Sequence, residues 1–399
     1  VNSLILSQAQ AYELTLSERG GMEETLTAEQ LGMSFSETEN VREYKRIQNG
    51  FLWPRMFWQQ DSYRISPDIV FDEDTFDSAV ESLSCVQEGI EPKDAWVELT
   101  ADGYELHPEE QGSKVKEDVL REEIRSAAQS LSENIDLEEL GCYEEPSMTA
   151  DAAEITELTS KLDHWLGAEI TYEFGPDTDV VDSSVIAGFI TLDGNDAALD
   201  SEAVEEWVSE LADKRDTYKK ARQFNSTLRG TITVSGGNYG WQIDQETESA
   251  ALLASIENGE TVTKQPAWSH EGKTWGVNGD IGDTYIEVDM GAQHMWAYKD
   301  GALVIDTDVV TGNISRNYGT PAIVAAIQYK DRDAVLRGDN YATPVKYWMP
   351  FYGNYGIHDA GWRSEFGGTI YLTNGSHGCV NTPPAAMKVI FETMESGTP

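Results

Sequence analysis

The feature of this sequence that most constrains its fold is a pattern that occurs twice, 128 residues apart. Residues 71–84, FDEDTFDSAVESLS, resemble residues 199–212, LDSEAVEEWVSELA. Both segments begin with acidic residues and continue with apolar residues at helical spacing, which is typical of an amphipathic helix. The pattern therefore indicates that the chain contains a repeated structural unit.

A second pair of segments continues the similarity. Residues 103–112, GYELHPEEQG, resemble residues 240–249, GWQIDQETES. Each is preceded by a run that is typical of a strand and followed by one that is typical of a helix. We therefore predict two tandem α+β modules, residues 1–148 and 149–270, related by duplication.

The composition indicates a globular protein with a strongly acidic surface. Apolar residues make up 40% of 399 residues, and a chain of this length favours two or three domains. The 28 Lys and Arg residues against 71 Asp and Glu residues give a formal net charge of −43, which argues against binding to polyanionic nucleic acid. We interpret the charge as a solvated, soluble surface.

Two acidic clusters could suggest calcium. They are Asp72, Asp74 and Asp77 in the first module, and Asp193 and Asp196 in the second. Neither has the glycine and the closing glutamate of an EF-hand loop. We therefore predict carboxylates that cap helices and no metal site.

The character of the sequence changes at about residue 275, where short β runs separated by turn residues replace helical spacing. Residues 284–290, 294–301 and 302–312 predict an antiparallel meander with turns at Gly291 and at Asp300-Gly301. Glycines then punctuate residues 353–378, and a last helix follows the Pro residues at 383–384. We predict a β-rich third domain over residues 275–399.

Three cysteines are too few for a disulfide framework. Cys85 and Cys142 belong to the same predicted module and could form a disulfide or remain buried thiols. No apolar run is long enough to cross a bilayer, and the first residues lack a basic flank followed by an apolar stretch. We therefore expect any membrane anchor to lie upstream of Val1.

The third cysteine lies in a segment with two histidines, IHDAGWRSEFGGTIYLTNGSHGCVN, residues 357–381. A thiol becomes a strong nucleophile as thiolate, so a catalytic cysteine needs a neighbouring base. His377 lies two residues before Cys379, and His358 could reach the sulfur across a strand-loop-strand. Gly378 leaves space beside the sulfur and backbone N–H groups that could form an oxyanion hole.

This segment resembles the signature of the L,D-transpeptidases, cysteine enzymes of bacterial cell-wall cross-linking that are often called the YkuD family. The family pattern is a histidine, a spacer, and then Ser/Thr-His-Gly-Cys-x-Asn/Arg. Here His358 is followed by seventeen residues and then by SHGCVN, residues 376–381. The resemblance covers about residues 280–399 and implies a mixed β-sandwich. The upstream modules resemble the peptidoglycan-binding repeats that precede this domain in Gram-positive members.

The resemblance implies a role for each residue of the motif. Cys379 is the acylated nucleophile, and His358 is the base that generates the thiolate, with His377 as a second candidate for the base. The Asp359 carbonyl orients the His358 ring. The Gly378–Cys379 backbone holds the oxyanion, and Ser376 helps to shape the pocket.

Three further residues, Trp348, Tyr355 and Asn381, are predicted to contact the substrate. Other aromatic residues nearby are expected to belong mostly to the core. Lys346 and Arg363 could meet a carboxylate of the donor or could simply be solvated.

The implied reaction has two halves. The thiolate attacks the third residue of a tetrapeptide donor stem and expels the terminal D-Ala, and an amine of an acceptor stem then attacks the thioester to give a 3→3 cross-link. Water as acceptor would give an L,D-carboxypeptidase. No cofactor is implied, carbapenems are expected covalent inhibitors, and the N-terminal modules could bind glycan strands. The expected location is extracellular, in the cell wall, with a role in wall organisation and cell shape.

The sequence departs from the family pattern in two places. After Thr320-Pro321 the family commonly shows a glycine and an apolar run, whereas this chain reads AIVAAIQYKDRDAVLRG. The chain also stops at SGTP, where members usually continue into a short closing strand, so either the chain is trimmed or a sheet edge is missing.

Three rival readings stay open on the residues alone. Cys379 could be a small buried hydrophobic residue, with the histidines in turns. His358, His377 and Cys379 could ligate zinc, although a His-x-Cys unit without an evident fourth ligand fits poorly. The third domain could also be a catalytically silent wall-binding protein.

Overall fold

The structure is a computed structural model that describes residues 10–36, 68–275, 278–338 and 341–399. Residues 1–9 and 37–67 of the predicted first module lie outside the described residues. The chain divides into two compact units, Val1–Glu98 with Glu105–Thr159, and Leu99–Tyr104 with Ser160–Pro399. The domain boundaries given by the sequence stay a prediction.

The first unit contains a sheet with helices packed against it. The elements of the first module are β1 (Glu13–Ser17), β2 (Glu23–Thr27), β3 (Met33–Ser36), β4 (Asp68–Phe71), α1 (Glu73–Glu81), α2 (Ser84–Gln87), β5 (Trp96–Thr100), β6 (Gly103–His107), α3 (Glu117–Ser130) and β7 (Asn134–Asp136), followed by α4 (Ala153–Leu166). Of these, Leu99–Tyr104 of β5 and β6 and the end of α4 from Ser160 belong to the second unit. The apolar face of α1 enters the core through Phe76 and Val80, and that of α3 through Leu120 and Ile124. This spacing of three or four residues is the one that the sequence pattern predicted.

The second module belongs to the other unit. Its elements are β8 (Glu169–Phe174), β9 (Asp177–Val181), α5 (Ser183–Ala187), β10 (Ile190–Asp193), β11 (Asp196–Leu199), α6 (Ser201–Arg215), β12 (Arg222–Ser226), β13 (Gly230–Val234), β14 (Gln242–Ile243), α7 (Gln245–Glu257), β15 (Thr261–Lys264) and β16 (Trp268–His270).

The two modules share one order of elements and one pattern of strand pairing. In the first, β1 pairs antiparallel with β2 and parallel with β7, and in the second β8 pairs antiparallel with β9 and parallel with β15. Between the parallel partners each module has two hairpins, β3–β4 and β5–β6 or β10–β11 and β12–β13. Helices α1 and α2 separate the hairpins in the first module and α6 separates them in the second, and α3 or α7 follows them. The common topology supports the duplication that the sequence pattern predicts.

The acidic clusters have different structural roles. Asp72 caps α1, because its Oδ1 accepts a hydrogen bond from the Thr75 backbone N–H at 3.0 Å. Asp193 and Asp196 are instead paired across the β10–β11 hairpin, where Gly194 adopts a positive φ of 59° in the tight turn. The capping prediction is therefore wrong for Asp193 and Asp196. Within the described ranges, no group of three or more His, Cys, Asp or Glu residues could hold a metal ion.

Cys85 and Cys142 are both buried in the core of the first unit as free thiols. Burial raises the pKa of the Cys85 thiol to about 12 and that of Cys142 to about 11. Both side chains therefore act as small apolar residues in the packing.

The C-terminal part is rich in β structure. Its elements are β17 (Tyr285–Asp289), β18 (His294–Lys299), β19 (Ala302–Asp308), a 3₁₀ turn (Ile314–Arg316), β20 (Asp331–Gly338), β21 (Tyr341–Tyr352), β22 (Tyr355–Asp359), α8 (Ile370–Asn374), β23 (Val380–Thr382) and α9 (Pro384–Thr393). Strands β17, β18 and β19 form the predicted antiparallel meander. Asp300 and Gly301 turn the chain between β18 and β19 with φ of 48° and 76°.

A four-stranded sheet in the order β20-β21-β22-β23 carries the histidine and the residues that follow the cysteine. Its first three strands are antiparallel neighbours, whereas β22 and β23 run parallel. Met387 and Ile390 of α9 pack with Met349, Ile357 and Val380 in one core, which holds the central strands in place. No helix in the described part of the chain is long and apolar enough to span a membrane.

Candidate active site

The parallel pairing of β22 and β23 brings together the two ends of the motif. His358 lies opposite Asn381 in the register of these strands. Cys379 stands two residues before Asn381, and side chains two residues apart on an extended chain lie on the same face. The register therefore brings the turn that carries Cys379 next to the strand that carries His358, although 21 positions separate the two residues in the sequence.

The turn that leads into Cys379 is fixed by hydrogen bonds. The Ser376 hydroxyl donates to the Cys379 carbonyl oxygen at 2.5 Å and accepts from the Gly378 N–H at 3.0 Å. The Thr320 hydroxyl donates to the Gly378 carbonyl oxygen at 2.8 Å. The Gly378 N–H is bound to Ser376 in this conformation, and its role as an oxyanion donor stays a prediction.

Gly378 is required here for its backbone shape and for the space that it leaves. Its φ of 115° lies in a region that L-residues rarely adopt, and a Cβ would lie 2.2 Å from Cε1 of Tyr355. The half-buried Tyr355 ring thus packs directly against the backbone that precedes the sulfur.

The His358 ring is buried, with an exposed fraction of 3%, and both of its nitrogens are engaged. Arg363 Nε donates to Asn381 Oδ1 at 2.9 Å, so the Asn381 amide nitrogen must face His358 Nε2, 3.0 Å away. Nε2 therefore holds a lone pair, and the proton lies on Nδ1, which donates to the Asp359 carbonyl oxygen at 2.9 Å. The ring is held as one neutral tautomer.

The Asp359 carboxylate supports the carbonyl that contacts the ring. Its Oδ1 accepts hydrogen bonds from the backbone N–H groups of Lys346 and Tyr347, at 2.8 and 2.9 Å. The side chain is buried, with an exposed fraction of 6%. These bonds tie β21 to the end of β22, so that the position of the Asp359 carbonyl does not depend on the following loop.

Removing the charge of Asp359 should weaken this support. We expect Asp359→Asn to lower the free energy of unfolding by about 1–2 kcal/mol, because hydrogen bonds to a carboxylate are stronger than those to an amide oxygen. Denaturant unfolding of the two proteins measures the difference. The exposed Asp331 gives a matched control, since Asp331→Asn should change stability by less than about 0.5 kcal/mol. Equal effects would contradict a supporting role of Asp359.

Burial favours the neutral forms of both the histidine and the cysteine. It lowers the pKa of His358, an effect that the hydrogen bond to Asp359 only partly opposes. It raises the pKa of the partly exposed Cys379, with the Gly356 N–H opposing this shift. The resting pair is therefore a thiol and an imidazole. With both groups neutral, attack by the sulfur calls for proton transfer.

The sulfur is not hydrogen-bonded to His358 in this conformation. The Cys379 thiol donates to the Asn354 carbonyl oxygen at 3.7 Å, and both ring nitrogens of His358 are bound to other groups of the described chain.

Other predicted residues lie in different surroundings. The exposed His377 packs its ring against Tyr318, with centroids 4.8 Å apart. Trp348 and Asn381 are buried, so neither presents its surface to a substrate in this conformation. Trp348 instead flanks the His358 ring at a centroid distance of 6.0 Å. The catalytic and substrate-binding roles of all these residues stay predictions.

Sequence reasoning missed three contacts around the site. The exposed Trp362 flanks His358 at a centroid distance of 5.8 Å, Thr320 binds Gly378, and Arg363 binds Asn381. The period of two along a strand could have placed Asn381 beside Cys379 on one face. Nothing in the sequence indicated the contacts of the two loop residues Thr320 and Arg363.

A cavity of about 620 Å³ lies between the β12–β13 hairpin and strand β17. Its walls are mainly apolar and include Ile357 and Val380, the neighbours of the predicted catalytic residues. Neither His358 nor Cys379 lines it. The cavity is therefore separate from both proposed catalytic residues.

Two family models match the chain. Residues 283–399 match YkuD, described as "L,D-transpeptidase catalytic domain". Residues 171–264 match a model described as "Putative peptidoglycan binding domain". Both matches fall in the second compact unit, the first on its β-rich C-terminal part and the second on the module before it.

Solved structures give the same assignment. A crystal structure of an Enterococcus faecium L,D-transpeptidase, with one cysteine replaced by serine, is 39% identical, covers 61% of this chain and 98% of its own, and has a TM-score of 0.54. The carbamoyl enzyme of the transpeptidase Ldtfm with avibactam is also 39% identical, covers 61% and 97%, and has a TM-score of 0.55. Comparison with curated protein sequences gives no significant match. Since the chain covers nearly the whole length of these solved relatives, it belongs to the L,D-transpeptidase family.

Proposed function

We propose that this protein forms 3→3 peptidoglycan cross-links through a thioester on Cys379. The observation that carries the proposal is the tautomer of His358. Its Nδ1–H donates to the Asp359 carbonyl, and its Nε2 lone pair accepts from the Asn381 amide, two residues after Cys379. A neutral imidazole held in this way can accept a proton on Nε2, while the Asp359 carbonyl stabilises the imidazolium that forms.

The first half of the proposed reaction acylates the enzyme. His358 Nε2 exchanges its hydrogen bond with Asn381 for one with the thiol and takes the proton as the sulfur attacks the carbonyl of the third stem residue. The Cys379 N–H is the proposed oxyanion donor. As the tetrahedral intermediate collapses, the C–N bond breaks, and the leaving D-Ala amine takes the proton from the imidazolium. The product is a thioester between Cys379 and the stem.

The second half transfers the acyl group. An amine of an acceptor stem attacks the thioester and gives a proton to His358, and the C–S bond breaks. The imidazolium returns that proton to the sulfur, so the enzyme leaves the cycle unchanged. The match of the second module to a peptidoglycan-binding model supports the proposal that this module contacts the wall. We place the action outside the cell, where wall cross-linking occurs.

Defined tetrapeptide stems test the proposal. Intact-mass measurement should show an adduct equal to the stem minus its terminal D-Ala, and an added amine acceptor should convert it into a cross-linked dimer. A carbapenem should acylate the same residue, and the similar protein Ldtfm forms a carbamoyl enzyme with avibactam. Cys379→Ala should form neither adduct.

Three results would change the assignment. Tripeptide alone in the presence of the acceptor would indicate an L,D-carboxypeptidase. A folded wild-type protein that forms no adduct with either reagent would favour a silent wall-binding protein. Adducts that persist in Cys379→Ala would move the nucleophile to another residue.

A further inference from the structure

Arg363 lies near His358, the proposed base, and is linked to it through Asn381. It lies just after β22, where its backbone N–H donates to the Ala360 carbonyl oxygen at 3.0 Å and closes a tight turn. Its Nε donates to Asn381 Oδ1, and the Asn381 amide contacts His358. One amide group therefore separates the guanidinium from the imidazole.

The guanidinium of Arg363 is half-buried and has no ion-pair partner in the described part of the chain. No Asp or Glu oxygen there lies within 4.0 Å of it, and its two terminal nitrogens have no hydrogen-bond acceptor among the same residues. Burial lowers the pKa of this guanidinium, and no neighbouring carboxylate opposes the shift. Glu365, two residues further on, is exposed.

Other shielded arginines of this protein are paired. Arg19 binds Glu138, Arg215 binds Asp179, and Arg222 binds Asp280. In a chain with 71 acidic residues, a half-buried arginine that lacks a carboxylate among the described residues is therefore unusual. A charged group that loses water without gaining a partner costs free energy, so a ligand that supplies the carboxylate would bind favourably.

We propose that the terminal nitrogens of Arg363 bind the free carboxylate at the end of the donor stem. This inference rests on the proposed function. With Nε held by Asn381, the remaining edge of the planar guanidinium can receive both oxygens of one carboxylate. In a tetrapeptide, that carboxylate belongs to the departing D-Ala and lies two bonds from the nitrogen of the broken amide. A stem that continues beyond the fourth residue has no charge there and would leave Arg363 without its partner.

Two substrates that differ only at this carboxylate test the inference. One is a tetrapeptide stem with a free C-terminal carboxylate, and the other is the same stem as its C-terminal carboxamide. We expect kcat/KM for acyl-enzyme formation by the wild type to be about 10- to 100-fold higher for the acid. Arg363→Gln should lower the value for the acid more than that for the carboxamide and bring the ratio close to one, because Nε also holds Asn381. Arg363→Lys keeps the positive charge but lacks the planar guanidinium, so it should give an intermediate ratio of the two kcat/KM values.

Two further variants separate binding from a structural effect. Asn381→Ala should lower the rates for both stems by a similar factor and keep the wild-type ratio, because Asn381 acts on His358. Arg332, an exposed arginine of β20 that lies 3.8 Å from Glu392, is the matched control, and Arg332→Gln should keep both rates and their ratio. Thermal unfolding of each variant verifies that it is folded.

The inference fails if the wild type uses both stems equally, or if Arg363→Gln lowers both rates by the same factor. The first comparison needs no variant, so it decides the question even if Arg363→Gln does not fold. If neither stem acylates the wild type, the proposed function fails together with the inference. If both stems acylate it at equal rates, the proposed function stands and only the carboxylate site is lost.

Discussion

Replacing His358 by glutamine should lower kcat/KM for acyl-enzyme formation about 10²- to 10⁴-fold, the usual contribution of a general base. Glutamine fills similar space and can still bind the Asp359 carbonyl, but it cannot accept a proton from the thiol. The acylation rate with a defined tetrapeptide stem measures the effect, and thermal unfolding verifies that the variant remains folded.

His377→Gln is the matched control for this substitution. His377 is exposed and packs against Tyr318, so its replacement should lower the rate far less than that of His358. The opposite order, with a nearly unaffected His358 variant and a strongly impaired His377 variant, would assign the role of base to His377.

The pH dependence of the wild-type enzyme follows from the same geometry. A base must be unprotonated, and burial lowers the pKa of His358 below its ordinary value of about 6.5. The imidazole therefore remains neutral, and the enzyme active, as the pH falls through that value. Activity is lost only when the pH passes the lowered pKa. An acidic limb of the kcat/KM profile at or above pH 7 would contradict the buried neutral ring.

Gly378→Ala should be the most destabilising small substitution near the site. The new methyl group would lie 2.2 Å from the Tyr355 ring, and alanine rarely adopts a φ of 115°. Backbone strain and overpacking together should lower the free energy of unfolding by about 2–5 kcal/mol. Any folded fraction should acylate slowly, since the shift of Tyr355 or of the turn displaces Cys379. Denaturant unfolding and acylation kinetics measure the two effects.

Gly368 provides the control for Gly378. Its φ of 61° is also positive, but a Cβ there would have no heavy atom within 4 Å. Gly368→Ala should therefore show backbone strain alone, about 1–2 kcal/mol. If the two variants lose equal stability, the contact between Tyr355 and the Gly378 backbone is not the cause.

Local patterns in the sequence were sufficient for much of the fold. The capped start of α1 follows from acidic residues before a helical apolar pattern, and the meander follows from alternating residues around Gly291 and Asp300-Gly301. The same reasoning misplaced Asp193 and Asp196, because the Gly194 turn between them forms a hairpin. The glycine between the two aspartates favours a tight turn between strands over the start of a helix.

The site was only partly predictable. The spaced motif identified His358 and Cys379 as candidates, but their protonation states depend on burial, which a local pattern does not show. Asn381 was expected to meet the substrate, whereas the parallel register of β22 and β23 places it against His358. The sequence does not give that register, because it is set by packing between strands that a long connection separates.

The parallel pairing of β22 with β23 fixes the position of some residues of this domain and leaves others free to change. Pairing fixes His358 against Asn381 through backbone hydrogen bonds, and residues 360–375 connect β22 to the turn that carries Cys379. This connection contains Trp362, Arg363 and α8. Insertions or exchanges within its exposed middle can therefore alter the surroundings of His358 while its pairing with Asn381 stays unchanged.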